Sequence, residues 1–126
     1  MTDTKIKILI AEDDLIIARD IKNTLENTGY SVVSVVDNGK DAISVSEDKK
    51  PDLILMDIML KGKMTGLDAA EHINKVRSTP IIFLSALCDD ETFLNAYLLK
   101  PFAYLTKPFR RAELVRKIDK IFKSAE

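Results

Sequence analysis

The chain has one cysteine, one histidine, four glycines and four prolines in 126 residues, and a formal net charge of only -1. The single thiol, Cys88, excludes an internal disulfide and suits a reducing compartment. With 19 basic against 20 acidic residues, total charge gives no reason to expect a nucleic-acid surface. No apolar run approaches the roughly 20 residues of a membrane-spanning helix, and Met1-Thr2-Asp3-Thr4-Lys5 has no signal-peptide core. Internal repeats, linkers and low-complexity tracts are also missing. The expected address is the cytoplasm, with no membrane and no direct nucleic-acid partner. What is present is ordinary: 46% hydrophobic and 31% charged residues, too apolar for disorder. The length fits one domain, residues 1–126, around one core.

The organising stretch is Leu53-Ile54-Leu55-Met56-Asp57. Four apolar residues between turn formers (Pro51 before, Gly62 and Gly66 after) read as a strand buried on both faces, as in the middle of a parallel sheet. Asp57 closes it, and a carboxylate there has to be paired, metal-bound or reactive. Around this strand the chain alternates regularly. Ile6–Ala11 is the first strand, and a helix follows to about Thr28, with Asp14 as N-cap, an apolar stripe of Leu15, Ala18, Ile21 and Leu25, and Gly29 as its stop. Tyr30–Val36 is a β-branched strand; Asp37-Asn38-Gly39 turns into a helix carrying Ala42, Ile43 and Val45. A loop from Ile58 to Thr65 precedes a helix marked by Leu67, Ala70, Ile73 and Val76. Ile81–Leu84 is the fourth strand, ending at Ser85-Ala86. Asp89–Lys100 is the fourth helix, Ala103–Leu105 the fifth strand and Arg110 to about Lys123 the fifth helix. Five strand–helix alternations call for an α/β doubly wound, three-layer sandwich with a parallel five-stranded sheet, for which the flavodoxin-like order 2-1-3-4-5 is a common solution.

That topology brings Glu12 and Asp13, Asp57, Ser85 and Lys107 to one edge of the sheet. Crowded carboxylates resist joint ionisation. A divalent cation removes the conflict, and hard oxygen donors suit Mg²⁺. Lys107 adds a positive charge and Ser85 a hydroxyl, which makes a site for a metal plus an anion. Taken singly, each residue has a plainer reading: an acidic helix start, a strand-end hydroxyl, a solvated lysine. Their arrival at matching strand ends favours the pocket.

The chain resembles the receiver domain of two-component response regulators. The match runs through Ile8-Leu9-Ile10-Ala11-Glu12-Asp13-Asp14, Pro51-Asp52-Leu53-Ile54-Leu55-Met56-Asp57, Ser85-Ala86 and Tyr104-Leu105-Thr106-Lys107-Pro108-Phe109, over essentially the whole length. The resemblance implies that Asp57 is the phosphoacceptor, taking a phosphoryl group from the phosphohistidine of a sensor histidine kinase. It implies Mg²⁺ on Asp13 and Asp57 directly, on Glu12 through water, and on the backbone carbonyl of Met59. Lys107 and Ser85 would bind the phosphoryl oxygens, Ala86 would leave them room, and Tyr104 would follow the hydroxyl inward. Lys107-Pro108 would be a cis peptide. By the same resemblance the protein is a signalling phosphoacceptor, not an enzyme acting on other substrates. Its phosphorylated form would switch the face of the fourth helix, fifth strand and fifth helix to control a downstream or phosphotransfer protein, with a homodimer through that face as one form of output. Only Ser124-Ala125-Glu126 follow the last helix, so a stand-alone receiver is expected.

The loop Leu60–Gly66 departs from the commonest receiver pattern by one extra residue and a missing proline. Met59 and Leu87 stand where polar side chains often flank the phosphoryl group, and neither orients an attacking water well. Slow self-dephosphorylation is therefore expected. His72 reads as a surface residue, Cys88 as a small apolar filler, and the basic fifth helix as a solvated face. The fourth helix, with Phe93, Leu94, Ala96, Tyr97, Leu98 and Leu99 on more than one face, is either deeply packed or a partner surface. A haloacid-dehalogenase-type phosphatase would need an acid at position 59, which is Met59. A flavin or nucleotide binder would need a phosphate cradle where Glu12-Asp13-Asp14 stand. A phosphorylation-independent binding module on the same fold is the remaining alternative.

Overall fold

Strand and helix alternate from end to end: β1 (Lys7–Ala11), α1 (Leu15–Asn27), β2 (Ser31–Val36), α2 (Gly39–Lys49), β3 (Leu53–Asp57), α3 (Gly66–Val76), β4 (Ile81–Ser85), α4 (Asp90–Leu98), β5 (Ala103–Thr106) and α5 (Arg111–Phe122). The structure is a computed structural model and describes residues 5–86 and 89–123. Leu87 and Cys88, for which the sequence carried expectations, lie outside the described residues, as do Met1–Thr4 and Ser124–Glu126. The five strands form one parallel sheet in the order β2-β1-β3-β4-β5.

Period-two alternation along the strands divides the core between the two faces of the sheet. Ile8, Ile10, Leu53, Leu55, Ile82 and Leu84 face one side and pack with Ala18, Ile21 and Leu25 of α1 and Leu114 and Ile118 of α5. Leu9, Ile54, Met56, Ile81 and Phe83 face the other and pack with Ala42 of α2, Ala69, Ala70 and Ile73 of α3 and Ala96 of α4. All five residues of β3 are buried, because β1 and β4 pair with it on both sides and helices cover both faces. Each fully buried Ile or Leu contributes about 1.5–3 kcal/mol of burial energy. The central strands are thus the costliest part of the fold to disturb.

Helix starts follow local capping chemistry. The Asp14 carboxylate accepts from Ile16 and Ile17 N–H (2.9 and 3.2 Å), as its sequence position predicts. Thr65 and Asp68 form a reciprocal capping box at α3. Two expected stripe residues are corrected: Leu15 and Val76 are exposed. Leu15 is the first residue of its helix and Val76 the last of its own, where the turn has already passed the edge of the core. α4 resolves the ambiguity of its sequence. Ala96 is its one buried residue, while Phe93, Leu94, Tyr97 and Leu98 are about half exposed or more.

Candidate functional site at the carboxyl edge of the sheet

The parallel sheet carries the expected residues to one edge, and backbone pairing continues just past the strands to hold them there. Glu12 N–H donates to Val36 O, Ile58 N–H to Leu84 O, and Lys107 N–H to Ser85 O. Glu12, Asp57 and Ser85 are all buried. One Asp57 oxygen, Oδ1, accepts from Met59 N–H at 2.9 Å; the other, Oδ2, accepts from Lys107 Nζ at 2.9 Å. The same ammonium lies 2.6 Å from Glu12 Oε1. Lys107 thus stands between two carboxylates, one from β3 and one from the end of β1. The Lys107-Pro108 peptide is cis, as the sequence led one to expect.

The electrostatics follow from this crowding. Burial pushes the Glu12 carboxyl up to about 7; the Lys107 contact pulls it down, and the neighbouring Asp57 pushes it further up. Burial works against the charged form of Lys107, but its contacts with Glu12 and Asp57 outweigh that and raise it. Glu12 Oε2 accepts from Asp14 N–H at 3.0 Å. Glu12 Oε1, by contrast, is buried and has only the charge contact with Lys107, without an aligned hydrogen-bond donor. Buried carboxylate oxygens are ordinarily satisfied. Here the Lys107 ammonium meets its charge.

Glu12, Asp13 and Asp57 present carboxylate oxygens that lie within 4.8 Å of one another. The donors are all hard oxygens and two of the three residues are buried, so the set fits a small divalent cation such as Mg²⁺. Ser85 and Tyr104 stand beside this centre in a different engagement. The Ser85 hydroxyl donates to Ala86 O at 2.7 Å. Tyr104, half-buried, meets Phe93 of α4 edge to face with ring centroids 5.0 Å apart. Ala86 is exposed and lines a groove of about 620 Å³ with Ile16, Ile17, Lys107, Pro108 and Phe109. His72 is exposed on α3, away from the site.

The sequence reading misjudged Gly66. It is not merely a turn former after the central strand but the first residue of α3, and it is pressed against the end of β3. Its N–H donates to Ile58 O at 2.8 Å. A Cβ there would come 2.0 Å from Asp57 O and 2.9 Å from Asp57 C. Backbone at that distance has no room to yield, so only glycine fits. No local pattern announces this, because the contact arises when α3 folds back over the strand end. Gly62, with φ of 91°, is the residue that does use the freedom of glycine.

The fold is a parallel α/β sheet with an acidic cluster and a lysine at its carboxyl edge, and comparison gives the family. The chain belongs to the response regulator receiver domain family, whose model matches residues 8–119, and it is therefore a receiver domain of the two-component regulatory type. The transcriptional regulatory protein PdtaR of Mycobacterium tuberculosis is 34% identical over 113 residues, covering 90% of this chain and 55% of that protein. The phyllosphere-induced regulator PhyR of Methylorubrum extorquens is 36% identical over 113 residues, covering 89% and 42%. The chain thus spans about half the length of these curated relatives. Among solved structures, the signal receiver domain of a modulated diguanylate cyclase from Desulfovibrio desulfuricans aligns with a TM-score of 0.86 at 38% identity, covering 92% of both chains. A CheY-like receiver domain protein from Methanospirillum hungatei aligns with a TM-score of 0.88 at 26% identity, covering 96% of both. Among the described residues, no helix is long and apolar enough to cross a membrane.

Proposed function

We propose that this chain is a single receiver domain that accepts a phosphoryl group on Asp57 from the phosphohistidine of a sensor histidine kinase. The observation that carries this reading is the setting of Asp57. Its carboxylate closes a wholly buried strand and is held by Met59 N–H and Lys107 Nζ, beside Glu12 and Asp13. An Asp57 oxygen attacks phosphorus, the new O–P bond forms as the N–P bond breaks, and the electron pair returns to the imidazole nitrogen. Lys107 offsets the charge on the transferring oxygens. Glu12, Asp13, Asp57 and the Met59 carbonyl would hold Mg²⁺, which supplies further charge neutralisation when bound. As the phosphoryl group arrives, Lys107 turns from the Asp57 oxygen to the new phosphoryl oxygens.

The donor reaches Asp57 past the α1 groove. Its apolar lining, which includes the exposed Ile16, suits a kinase helix carrying the histidine. Ser85 then exchanges the Ala86 carbonyl for a phosphoryl oxygen, over the small Ala86 side chain, and Tyr104 follows, leaving its edge contact with Phe93. That shift remodels the α4–β5–α5 face, whose exposed Phe93, Leu94, Tyr97 and Phe102 support contact with a downstream or phosphotransfer protein, or with a second copy. On this reading the chain is a signalling phosphoacceptor that catalyses only its own phosphorylation and dephosphorylation, and it acts in the cytoplasm.

Intact-mass spectrometry after incubation with acetyl phosphate and Mg²⁺ tests the proposal. One phosphoryl group is expected on the wild type, dependent on Mg²⁺ and absent in Asp57→Ala. A folded wild type that stays unmodified would leave the domain as a phosphorylation-independent binding module.

A further inference from the structure

The side of α4 that faces α3 plays no part in the switch proposed above, yet it borders a groove of about 610 Å³. Its apolar lining includes Ile58, Met59, Leu67 and Leu98, of which Met59 and Leu98 are more than half exposed. Its only ionised side chains are Asp68 and Glu71, both acidic, both exposed and both from α3; no lining residue is basic. Among the described residues, neither carboxylate forms an ion pair. Asp68 accepts from the Thr65 N–H at the helix cap, a neutral donor. The groove is therefore an apolar slot with uncompensated negative charge on one wall.

Such a surface matches a helix with an apolar row along one face and Lys or Arg beside it. Apolar side chains fill the slot, and the cations meet Asp68 and Glu71. Charge complementarity of this kind selects among partners and disfavours acidic ones. The groove is also built from the segment that holds Asp57. Ile58 and Met59 follow it directly, Met59 N–H donates to Asp57 Oδ1, and Ile58 O is tied to Gly66 at the start of α3. A phosphoryl group on Asp57 changes what Met59 N–H bonds to, and the groove wall changes with it.

We propose that the α3–α4 groove docks a basic amphipathic helix of a partner protein, and that phosphorylation of Asp57 sets its affinity. The second half rests on the phosphoacceptor reading above.

The test titrates a short leucine–lysine helical peptide, and a leucine–glutamate peptide of the same pattern, into the isotope-labelled full chain. Chemical shifts are expected to move saturably over residues 58–71 and 92–99 with the lysine peptide alone. The double variant Asp68→Lys, Glu71→Lys is expected to weaken binding at least roughly tenfold, since like charges then face each other. A control reversal on α2, Glu47→Lys with Asp48→Lys, leaves it unchanged. In protein shown by mass to carry the phosphoryl group, the affinity differs at least about fivefold, the lower end of ordinary coupling between sites. Shifts centred on α1, indifference to the reversal at Asp68 and Glu71, or equal binding of the glutamate peptide overturns the groove assignment. So does the appearance of the same shifts on raising protein concentration without peptide, which would make a second copy the occupant. Equal affinity in modified and unmodified protein overturns the coupling. An absent mass adduct overturns the phosphoacceptor reading and the coupling with it, while the peptide map of the unmodified chain still decides the groove.

Discussion

The Lys107 ammonium lies 2.6 Å from the buried Glu12 carboxylate, yet burial still leaves that carboxyl raised to about 7. A carboxyl whose pKa is higher folded than unfolded binds protons more tightly in the native state. It therefore lowers stability as pH rises through the interval from the ordinary carboxylate range to about 7. Glu12→Gln, neutral at every pH, is expected to exceed the wild type by on the order of 1–2 kcal/mol near pH 8 without metal, and to match it near pH 4. Denaturant melts at the two pH values measure this. A constant difference between them would refute the assignment to Glu12.

Mg²⁺ held at Glu12, Asp13 and Asp57 as proposed would compete with that proton. Calorimetric titration is expected to show tighter Mg²⁺ binding near pH 8 than near pH 6, with protons released on binding at the lower pH. Removing the metal with a chelator is expected to lower the melting temperature of the wild type. In Glu12→Gln the pH dependence of binding is lost.

Met59 is 61% exposed beside Asp57, so a polar side chain there costs little stability. Asn or Glu at this position can orient a water toward the phosphoryl group, which the thioether cannot. Phosphate loss from Met59→Asn and Met59→Glu is expected to quicken by roughly tenfold, short of the hundredfold or more that a full general base contributes. Timing the decay of the mass adduct decides it; an unchanged rate removes Met59 as the cause of a long lifetime.

The buried Tyr30 hydroxyl donates to Asp119 Oδ1 at 2.5 Å and joins the start of β2 to α5. Burial first, and then the Asp119 hydrogen bond, raise the phenol above its ordinary range. Tyr30→Phe is expected to cost about 1.5 kcal/mol, the lower end for a hydrogen bond to a charged group, because Asp119 is partly exposed and finds water. Chemical denaturation measures it, and phosphorylation of Asp57 is expected to be unaffected.

Lys50 closes α2 in the left-handed region, with φ of 48° and Pro51 next. That backbone favours glycine. Lys50→Gly is expected to stabilise the fold by about 0.5 kcal/mol, seen as a higher melting temperature. A lower melting temperature would show that unfolded-state entropy outweighs the relief.

The fold was legible because its elements are marked by local signals: continuous apolar runs for β1, β3 and β4, β-branched residues for β2, and capping residues such as Asp14 before α1. The edge residues were legible for the same reason, since parallel topology leaves them nowhere else to go. Helix faces were read less well at their ends, as Leu15 and Val76 show, because a spacing pattern does not mark where the core stops. Contacts made only when distant pieces close on one another left no trace. Nothing around Gly66 signals that it rests on the Asp57 carbonyl, and nothing around Glu12 signals that its Oε1 lacks an aligned donor.

Helix α4 keeps a single buried side chain, Ala96, whereas β3 buries every residue. Anchorage is thus distributed very unevenly between the strand that would carry the phosphoryl group and the helix that would report it. Opening an element costs roughly what its buried contacts are worth, so α4 detaches for little while the sheet stays closed. Amide protons of α4 should then exchange with solvent long before those of β3. A message of only a few kcal/mol suffices to move a helix so lightly moored, and leaves the platform beneath it intact.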